Sequence, residues 1–339
     1  MQVSPHAIPA ESVKAFKAFI DKYSKFVICS HENPDADAYG SACGLGVALR
    51  AYGKEVLFIN TSPILERLSF IPAVSETVRD IPPGFEFEAS IVCDCGAFSR
   101  VGENIFAQIS GKPVLNIDHH ISNDNFGSEN VVATKASSTS EIICALLTEA
   151  AIDIPAQSAT ALYAGILADS GSFRYSCVRP YTFEAASLCV AKGAVSSKIS
   201  EKLFSTNSLA YVKLHAKAIL EMTLHISSKV ALIVTSADMI ESCGATVADS
   251  DGLAEQGRDI QGVEVSVLMK EDKLFTSDSD KPKAIWRVSM RAKSDKYDVS
   301  ALAQKFGGGG HKAAAAFRSS KSRQEIISAL LAELEQIFA

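Results

Sequence analysis

The chain has 339 residues, 47% of them hydrophobic and 21% charged, with a formal net charge of −6. That length favours two domains with substantial cores. The acidic balance argues against a protein that coats long duplex nucleic acid, an affinity that comes largely from neutralising phosphates. No apolar run reaches the ~18 residues of a membrane span, and Met1-Gln2-Val3-Ser4-Pro5 lacks the basic and apolar regions of a secretory signal. The expectation is a cytoplasmic protein with no membrane partner.

In chain order, residues 11–23 place Val13, Phe16, Phe19 and Ile20 along one helical stripe. Phe26-Val27-Ile28-Cys29 reads as a buried strand. It runs into His31-Glu32-Asn33-Pro34-Asp35-Ala36-Asp37-Ala38-Tyr39-Gly40-Ser41, a polar turn that opens a helix over 39–52. Gly40, Gly44 and Gly46 would weaken that helix unless they allow close packing or ligand approach. Residues 55–59, 90–93 and 113–117 read as further strands. The last two end in charged groups: Asp94 after one, Asp118-His119-His120 after the other. Ser138-Thr139-Ser140-Glu141 is a capping box opening a helix to about 150. A helix over 158–168 ends at Asp169-Ser170-Gly171-Ser172-Phe173-Arg174-Tyr175. Strands alternating with helices predict an α/β domain, a mostly parallel sheet with helices on both faces.

Residues 182–191 and 195–221 read as helical and carry no chemical cluster. Beyond about 222 the pattern changes to strands over 225–235, 263–270 and 285–291, with a polar loop over 271–283. Ser322-Arg323-Gln324-Glu325 caps an amphipathic last helix, whose Ile326, Leu330 and Leu334 read as core rather than a partner surface. The expected domains are 1–194, a helical connector 195–221, and a smaller α/β C-terminal domain 222–339, with a cleft between the two domains.

Eight cysteines lie mostly in apolar or small-residue settings and read as reduced core residues. Cys93-Asp94-Cys95 has no second pair spaced to complete a zinc site, so these two read as core residues flanking Asp94 rather than as thiolate ligands.

His31, Asp35, Asp37, Asp94, His119 and Asp169, with Asp118 and His120 beside them, come from four places in the chain. Three of these follow apolar strands. The carboxyl ends of parallel strands share one edge, so the groups can converge. Four carboxylates and two imidazoles exceed the needs of one ion and suit two divalent metals with a shared carboxylate. Oxygen ligands with two histidines and no cysteine point to Mn(II) first, with Mg(II), Co(II) or Fe(II) behind.

The motif around His31, then Asp94, then Asp118-His119-His120, then Asp169-Ser170-Gly171, resembles the four motifs of the DHH phosphoesterase superfamily. Gly307-Gly308-Gly309-Gly310-His311-Lys312-Ala313-Ala314-Ala315 looks like the signature of the DHH-associated C-terminal domain. Within the superfamily the chain is most similar to the group of bifunctional oligoribonucleases and pAp phosphatases, which includes phosphodiesterases of linear and cyclic dinucleotides. The resemblance implies His31 and Asp35 on one metal, and Asp37, His119 and Asp169 on the other. Asp94 bridges both, Asp118 orients a histidine, and His120 faces the scissile phosphate. Hydrolysis would use a water activated between the two ions. Tyr39 is bulkier than the residue expected there and is assigned to shaping the pocket.

The glycine run has two readings, a hinge or a phosphate cradle. The following alanine run, read as a helix, favours the cradle, so Gly308, Gly309, Gly310 and His311 are assigned to phosphate or nucleotide binding. Arg291 is either an exposed strand charge or a grip on a terminal phosphate. Arg174, close to Asp169, is a second candidate clamp. The expected partner is a short nucleotide: short RNA, a dinucleotide or pAp, with a homodimer left open. The rival readings are hydrolysis of inorganic polyphosphate or pyrophosphate, and a non-catalytic nucleotide sensor.

Overall fold

The computed structural model of the chain describes residues 8–274, 283–294 and 296–338, without the side chains at 273, 274, 283, 284 and 311. The chain divides into two compact units, Met1–Thr206 and Asn207–Ala339. The division falls inside the segment 195–221 read as a connector. That segment is two helices, one in each unit, parted by a short non-helical stretch containing Asn207 and Ser208.

The first unit runs α1 (Ala10–Lys22), β1 (Lys25–Cys29), α2 (Ala36–Ala51), β2 (Glu55–Phe58), β3 (Ala89–Cys93), α3 (Glu103–Ile109), β4 (Val114–Asp118), β5 (Glu129–Val132), α4 (Thr139–Glu149), α5 (Ala156–Asp169), α6 (Pro180–Ala191) and α7 (Ser196–Phe204). Its five strands lie in the order β2-β1-β3-β4-β5 and pair in parallel throughout. Parallel strands covered on both sides read as unbroken apolar runs, and here alternate residues serve different cores. Phe26, Ile28, Ile91 and Cys93 pack in the core that includes α2, α4 and α5. Val27, Cys29 and Val92 pack with Val101, Ile105 and Ile109 on the other face. The chain goes from β1 outward to β2 and returns to β3 on the opposite side of β1. That reversal opens a crevice past the carboxyl ends of β1 and β3, where α/β sheets bind ligands.

The expected elements are present with small shifts of their ends. The glycines of α2 serve packing: a methyl on Gly40 would lie 2.6 Å from the Ala161 carbonyl oxygen of α5. All eight cysteines are free, and Cys93 and Cys95 are fully buried beside Asp94. Tyr39 is a buried member of the core.

The second unit runs α8 (Leu209–Leu220), β6 (Thr223–His225), β7 (Val230–Thr235), α9 (Ala237–Ser242), α10 (Leu253–Arg258), β8 (Val265–Leu274), β9 (Lys283–Ala292), α11 (Val299–Lys305), β10 (Gly309–His311), β11 (Ala314–Ser319) and α12 (Arg323–Phe338). Its six strands lie in the order β10-β11-β9-β8-β7-β6. Only β7 and β8 pair in parallel. The segment 225–235, read as one strand, is a hairpin whose turn takes three successive left-handed residues, Ile226, Ser227 and Ser228.

The alanine run corrects the sequence reading. Ala314–Ser319 is a strand, antiparallel to β9 on one side and to β10 on the other. Alanine favours a helix in isolation, but Ala315 and Phe317 alternate into the core while Ala314 and Ala316 face away, so burial of one strand face wins. Gly308 also has a packing reason, since a methyl there would overlap the Ala316 carbonyl.

No helix among the described residues is long and apolar enough to cross a membrane. The capping box of α12 is formed, with Ser322 N–H donating to Glu325 Oε2 (2.9 Å) and Glu325 N–H to Ser322 Oγ (3.3 Å). Ile326, Leu330 and Leu334 are buried in the core of the unit, as expected. Leu334 is fully enclosed. Leu334→Ala is therefore expected to cost about 2–5 kcal/mol, read from urea unfolding monitored by circular dichroism.

Candidate metal centre

The site grows from the ends of β1, β3, β4 and α5 and from the starts of α2 and α4. After β1 the chain passes His31 and turns through Asn33, at a left-handed φ of 54°. Asp35 then caps α2, its Oδ1 accepting the N–H groups of Asp37 and Ala38, both at 3.0 Å. Capping uses one carboxylate oxygen and leaves the other free. Asp37, in the first turn of α2, is fully buried. It accepts Thr139 N–H at Oδ2 (2.7 Å) and Ser140 N–H at Oδ1 (3.0 Å), both from the start of α4. These are helix-terminal donors that favour an anion.

Asp94 follows β3 with φ 55° and is 2% exposed. Its Oδ1 accepts Thr139 Oγ1–H at 2.9 Å. Three imidazoles surround it: His31 Nε2 at 3.7 Å, His119 Nε2 at 3.6 Å and His120 Nδ1 at 3.7 Å. His119 Nε2 also lies 3.3 Å from Asp169 Oδ2 at the last residue of α5. Nδ1 of His31 meets the Glu32 carbonyl at 2.7 Å and that of His119 meets the Ala136 carbonyl at 3.4 Å. With those nitrogens occupied, Nε2 of each ring points at the carboxylates. Such backbone contacts set the tautomer of a metal-binding histidine.

Three sets of side chains bring one ligand atom each to within 4.8 Å of one another: His31, Asp35 and Asp94; Asp37, His119 and Asp169; and Asp94, His119 and His120. Asp94 belongs to two sets. His120 Nδ1 is held by Asp118 Oδ1 at 2.7 Å, and Asn123 Nδ2 donates to Asp118 Oδ2 at 2.6 Å.

The electrostatics are those of a site short of positive charge. Burial, then the charge of Asp94, pushes Asp37 up to about 7. Burial, then Asp35, does the same to Asp94. Desolvation, then the charges of Asp37, Asp35 and Asp94, raises Asp169 well above the usual range. Asp169 also sits at a helix C-terminus, where the backbone dipole disfavours an anion. Asp118 is the exception: although burial opposes it, the hydrogen bonds from His120 and Asn123 hold it below its ordinary value. Asp118 in turn raises His120. Carboxylate oxygens and imidazole nitrogens without thiolate, packed until they repel, fit divalent cations.

Sequence reading named every carboxylate and imidazole here but not the groups that hold them. Thr139 and Ser140 were visible as a capping box, yet spacing in a sequence does not reveal that α4 points its first amides at Asp37. The box itself is half formed. Ser138 Oγ accepts Glu141 N–H (3.0 Å), while the Glu141 carboxylate turns to the N–H and hydroxyl of Ser137 (3.3 and 2.6 Å). Asn60, also missed, donates to the His31 carbonyl at 3.1 Å.

The candidate phosphate groups are less concentrated. Arg174 is exposed, with Nε donating to the Gly171 carbonyl at 2.8 Å. Arg291, in the second unit, is neither unpaired nor fully exposed: Nε donates to Glu255 Oε1 of α10 at 2.7 Å. Gly309 and Gly310 lie on β10 with Gly308 just before it. The backbone of His311 ends β10, and its side chain is outside the described residues.

The model of the DHH family, N-terminal domain, matches residues 25–166, and that of the DHHA1 domain matches 230–339. The bifunctional oligoribonuclease and PAP phosphatase NrnA of Thermus thermophilus is 31% identical over 293 residues, covering 85% of this chain and 82% of that protein. The chain belongs to the DHH family of phosphoesterases. Another member, the bifunctional oligoribonuclease and PAP phosphatase NrnA of Bacillus subtilis, is 28% identical over 296 residues, covering 86% of this chain and 88% of that protein. The DHH fold is shared with a solved exopolyphosphatase-related protein from Bacteroides fragilis, at TM-score 0.87 and 23% identity with 99% of each chain covered. The matched N-terminal domain of this DHH protein spans His31, Asp35, Asp37, Asp94, His119 and His120, and Asp169 lies just beyond it.

Two outcomes follow from the packing of charge. In the metal-free protein, folded Asp37 and Asp94 hold protons that the unfolded chain has released, so their contribution to stability is full below the ordinary value of 3.8 and is lost as pH rises from there through about 7. Thermal melts in EDTA are expected to show that decline, and a saturating divalent cation is expected to remove it by taking the place of the protons. A methyl on Gly165 would overlap Ser140 Oγ at the start of α4. Gly165→Ala is expected to lose about 1–3 kcal/mol and to weaken Mn(II) binding in a calorimetric titration.

Proposed function

We propose that this protein is a Mn(II)-dependent hydrolase of short nucleotides, acting on oligoribonucleotides, linear or cyclic dinucleotides and 3′-phosphoadenosine 5′-phosphate. One observation carries this reading. Asp94 lies 3.6–3.7 Å from three imidazoles and shares its surroundings with Asp35, Asp37 and Asp169, in a chain whose curated relatives bear the names oligoribonuclease and PAP phosphatase.

In this reading His31, Asp35 and Asp94 would hold one ion and Asp37, His119 and Asp169 the other, with Asp94 placed to serve both. Bound ions supply Lewis acidity toward a phosphoryl oxygen and make water a nucleophile near neutral pH. The chain's own groups do the rest. Helix α4 fixes Asp37 and Asp94 through two amides and a hydroxyl, so the carboxylates need not reorganise during the reaction. Asp118 accepts from Nδ1 of His120, which orients Nε2 and favours the charged imidazolium. A charged His120 can donate to a phosphoryl oxygen as negative charge builds there. Arg174 is assigned to the same phosphate. In the second unit, Gly308, Gly309, Gly310 and His311 are assigned to the nucleotide together with Arg291. The register supports that grouping: His311 lies opposite Ala314, and Ala314 opposite Arg291, in one row across the sheet.

The test is product release with Mn(II) across pAp, a short RNA series, linear and cyclic dinucleotides, pyrophosphate and a long RNA. Short nucleotides are expected to turn over and the long strand to lag; turnover of pyrophosphate alone would overturn the reading. Asp94→Asn is expected to lower kcat by at least about 10²-fold with an unchanged far-UV spectrum. Asp118→Asn is expected to cost about 10–100-fold in activity.

A further inference from the structure

One row of the second unit's sheet carries three cations. Lys270 of β8 stands opposite Arg287 of β9, and Arg287 stands opposite Arg318 of β11. Residues in register project from the same face, and like charges directly opposite destabilise a sheet. Lys270 is buried and is neutralised by Asp251 at 2.5 Å. Arg287 and Arg318 are exposed, and neither has an acidic partner among the described residues. The chain as a whole carries −6, so a general basic surface does not explain the pair.

The same face continues along the strands. Ser289 lies opposite Ala316, and Arg291 opposite Ala314, with β10 adding Gly309 beside Ala316. Ser289, Ala316, Ala314 and Gly309 are all partly exposed. The apolar cluster that α8, α9 and α10 build on this side uses Ile233 of β7 and Leu268 of β8 and, among the described residues, takes none from β9, β10 or β11; α10 reaches β9 through Glu255 and Arg291. The result is a floor of glycine, alanine and serine. Arg291, whose Nε is paired with Glu255 of α10, stands at one end and the Arg287–Arg318 pair at the other, four residues away, about 14 Å at the rise of an antiparallel strand. That span exceeds one nucleotide step, and small side chains let a ribose approach the sheet. Guanidinium groups side by side are suited to bidentate contact with a phosphate.

We propose that Arg287 and Arg318 form a second anion site, which takes a backbone phosphate of a short single-stranded oligonucleotide held at its other end by the row of Arg291 and the glycine run. The site favours chains longer than a dinucleotide over pAp. It rests on the nucleotide reading given above and assigns that reading's preferred substrate.

The test compares the wild type with the double variant Arg287→Gln/Arg318→Gln. Both are assayed with Mn(II) on pAp, on 5′-phosphorylated RNAs from dinucleotide to pentanucleotide, and on inorganic polyphosphate. Binding of a fluorescent pentanucleotide is measured separately in EDTA at several salt concentrations. For RNAs longer than a dinucleotide, kcat/KM is expected to fall about tenfold, while pAp and the dinucleotide change by less than about twofold. The slope of log affinity against log salt is expected to shrink by about 0.7 for each phosphate that the variant no longer neutralises.

An equal loss on every substrate, no loss on any, or a loss confined to polyphosphate overturns the site. So does unchanged kinetics with new self-association, which would make the pair a guard on a strand edge. If the wild type turns over nucleotides but its length preference survives the substitutions, only this inference falls. If the wild type neither cleaves nor binds any of the RNAs, the nucleotide reading falls with it.

Discussion

Everything at the metal centre depends on holding like charges together out of water. Asp35, Asp37, Asp94 and Asp169 would repel one another in a shared hollow, and burial makes each charge costlier. Backbone amides offset part of that cost: two from α4 meet Asp37, and two from α2 meet Asp35. No such donor is found for Asp169 among the described residues, and it ends α5 against its dipole. What remains is a concentration of carboxylates around Asp94, with three imidazoles beside it. Carboxylates and imidazoles packed in this way fit divalent cations.

The strand order explains why these groups gather at this place. The reversal between β2 and β3 leaves β1 and β3 side by side with their carboxyl ends in one crevice, and β4 delivers the histidine pair next to them. Asn33 and Asp94 adopt left-handed backbone conformations at the mouth of that crevice. Such local strain is tolerated where surrounding structure fixes it, commonly at functional positions. Helix α4 is the element that joins architecture to chemistry, because its first residues touch Asp37 and Asp94 at once. The close approach of α5 at Gly165 sets how near that helix end can come.

The second unit solves a different problem with the same economy of side chains. One face of its sheet is closed by α11 and α12 over Val288, Met290, Ala315 and Phe317. The other face, on β9, β11 and β10, carries small residues between arginines, with Arg291 held by Glu255 of α10. Alanine serves there because it can alternate between a packed core position and an open floor without adding bulk to either.

How much of this was legible follows from which interactions are local. The alternation of strands and helices, the ligand types and the caps at Ser138 and Ser322 are written in neighbouring residues, so both domains, the α/β class and the whole set of carboxylates and imidazoles could be read without coordinates. The alanine run was misread as a helix because intrinsic propensity is local, whereas the pairing with β9 that overrides it joins residues distant in the chain. Arg291 was visible as a cation but not its partner Glu255, which lies 36 positions away. Thr139 and Ser140 were read as a helix start and not as the donors to Asp37, over a hundred residues earlier. The sequence by itself therefore determined the inventory of the site and the kind of fold that could assemble it. Tertiary structure alone decided which groups hold that inventory in place, and which cations share a row, because hydrogen bonds and strand register are properties of approach in space.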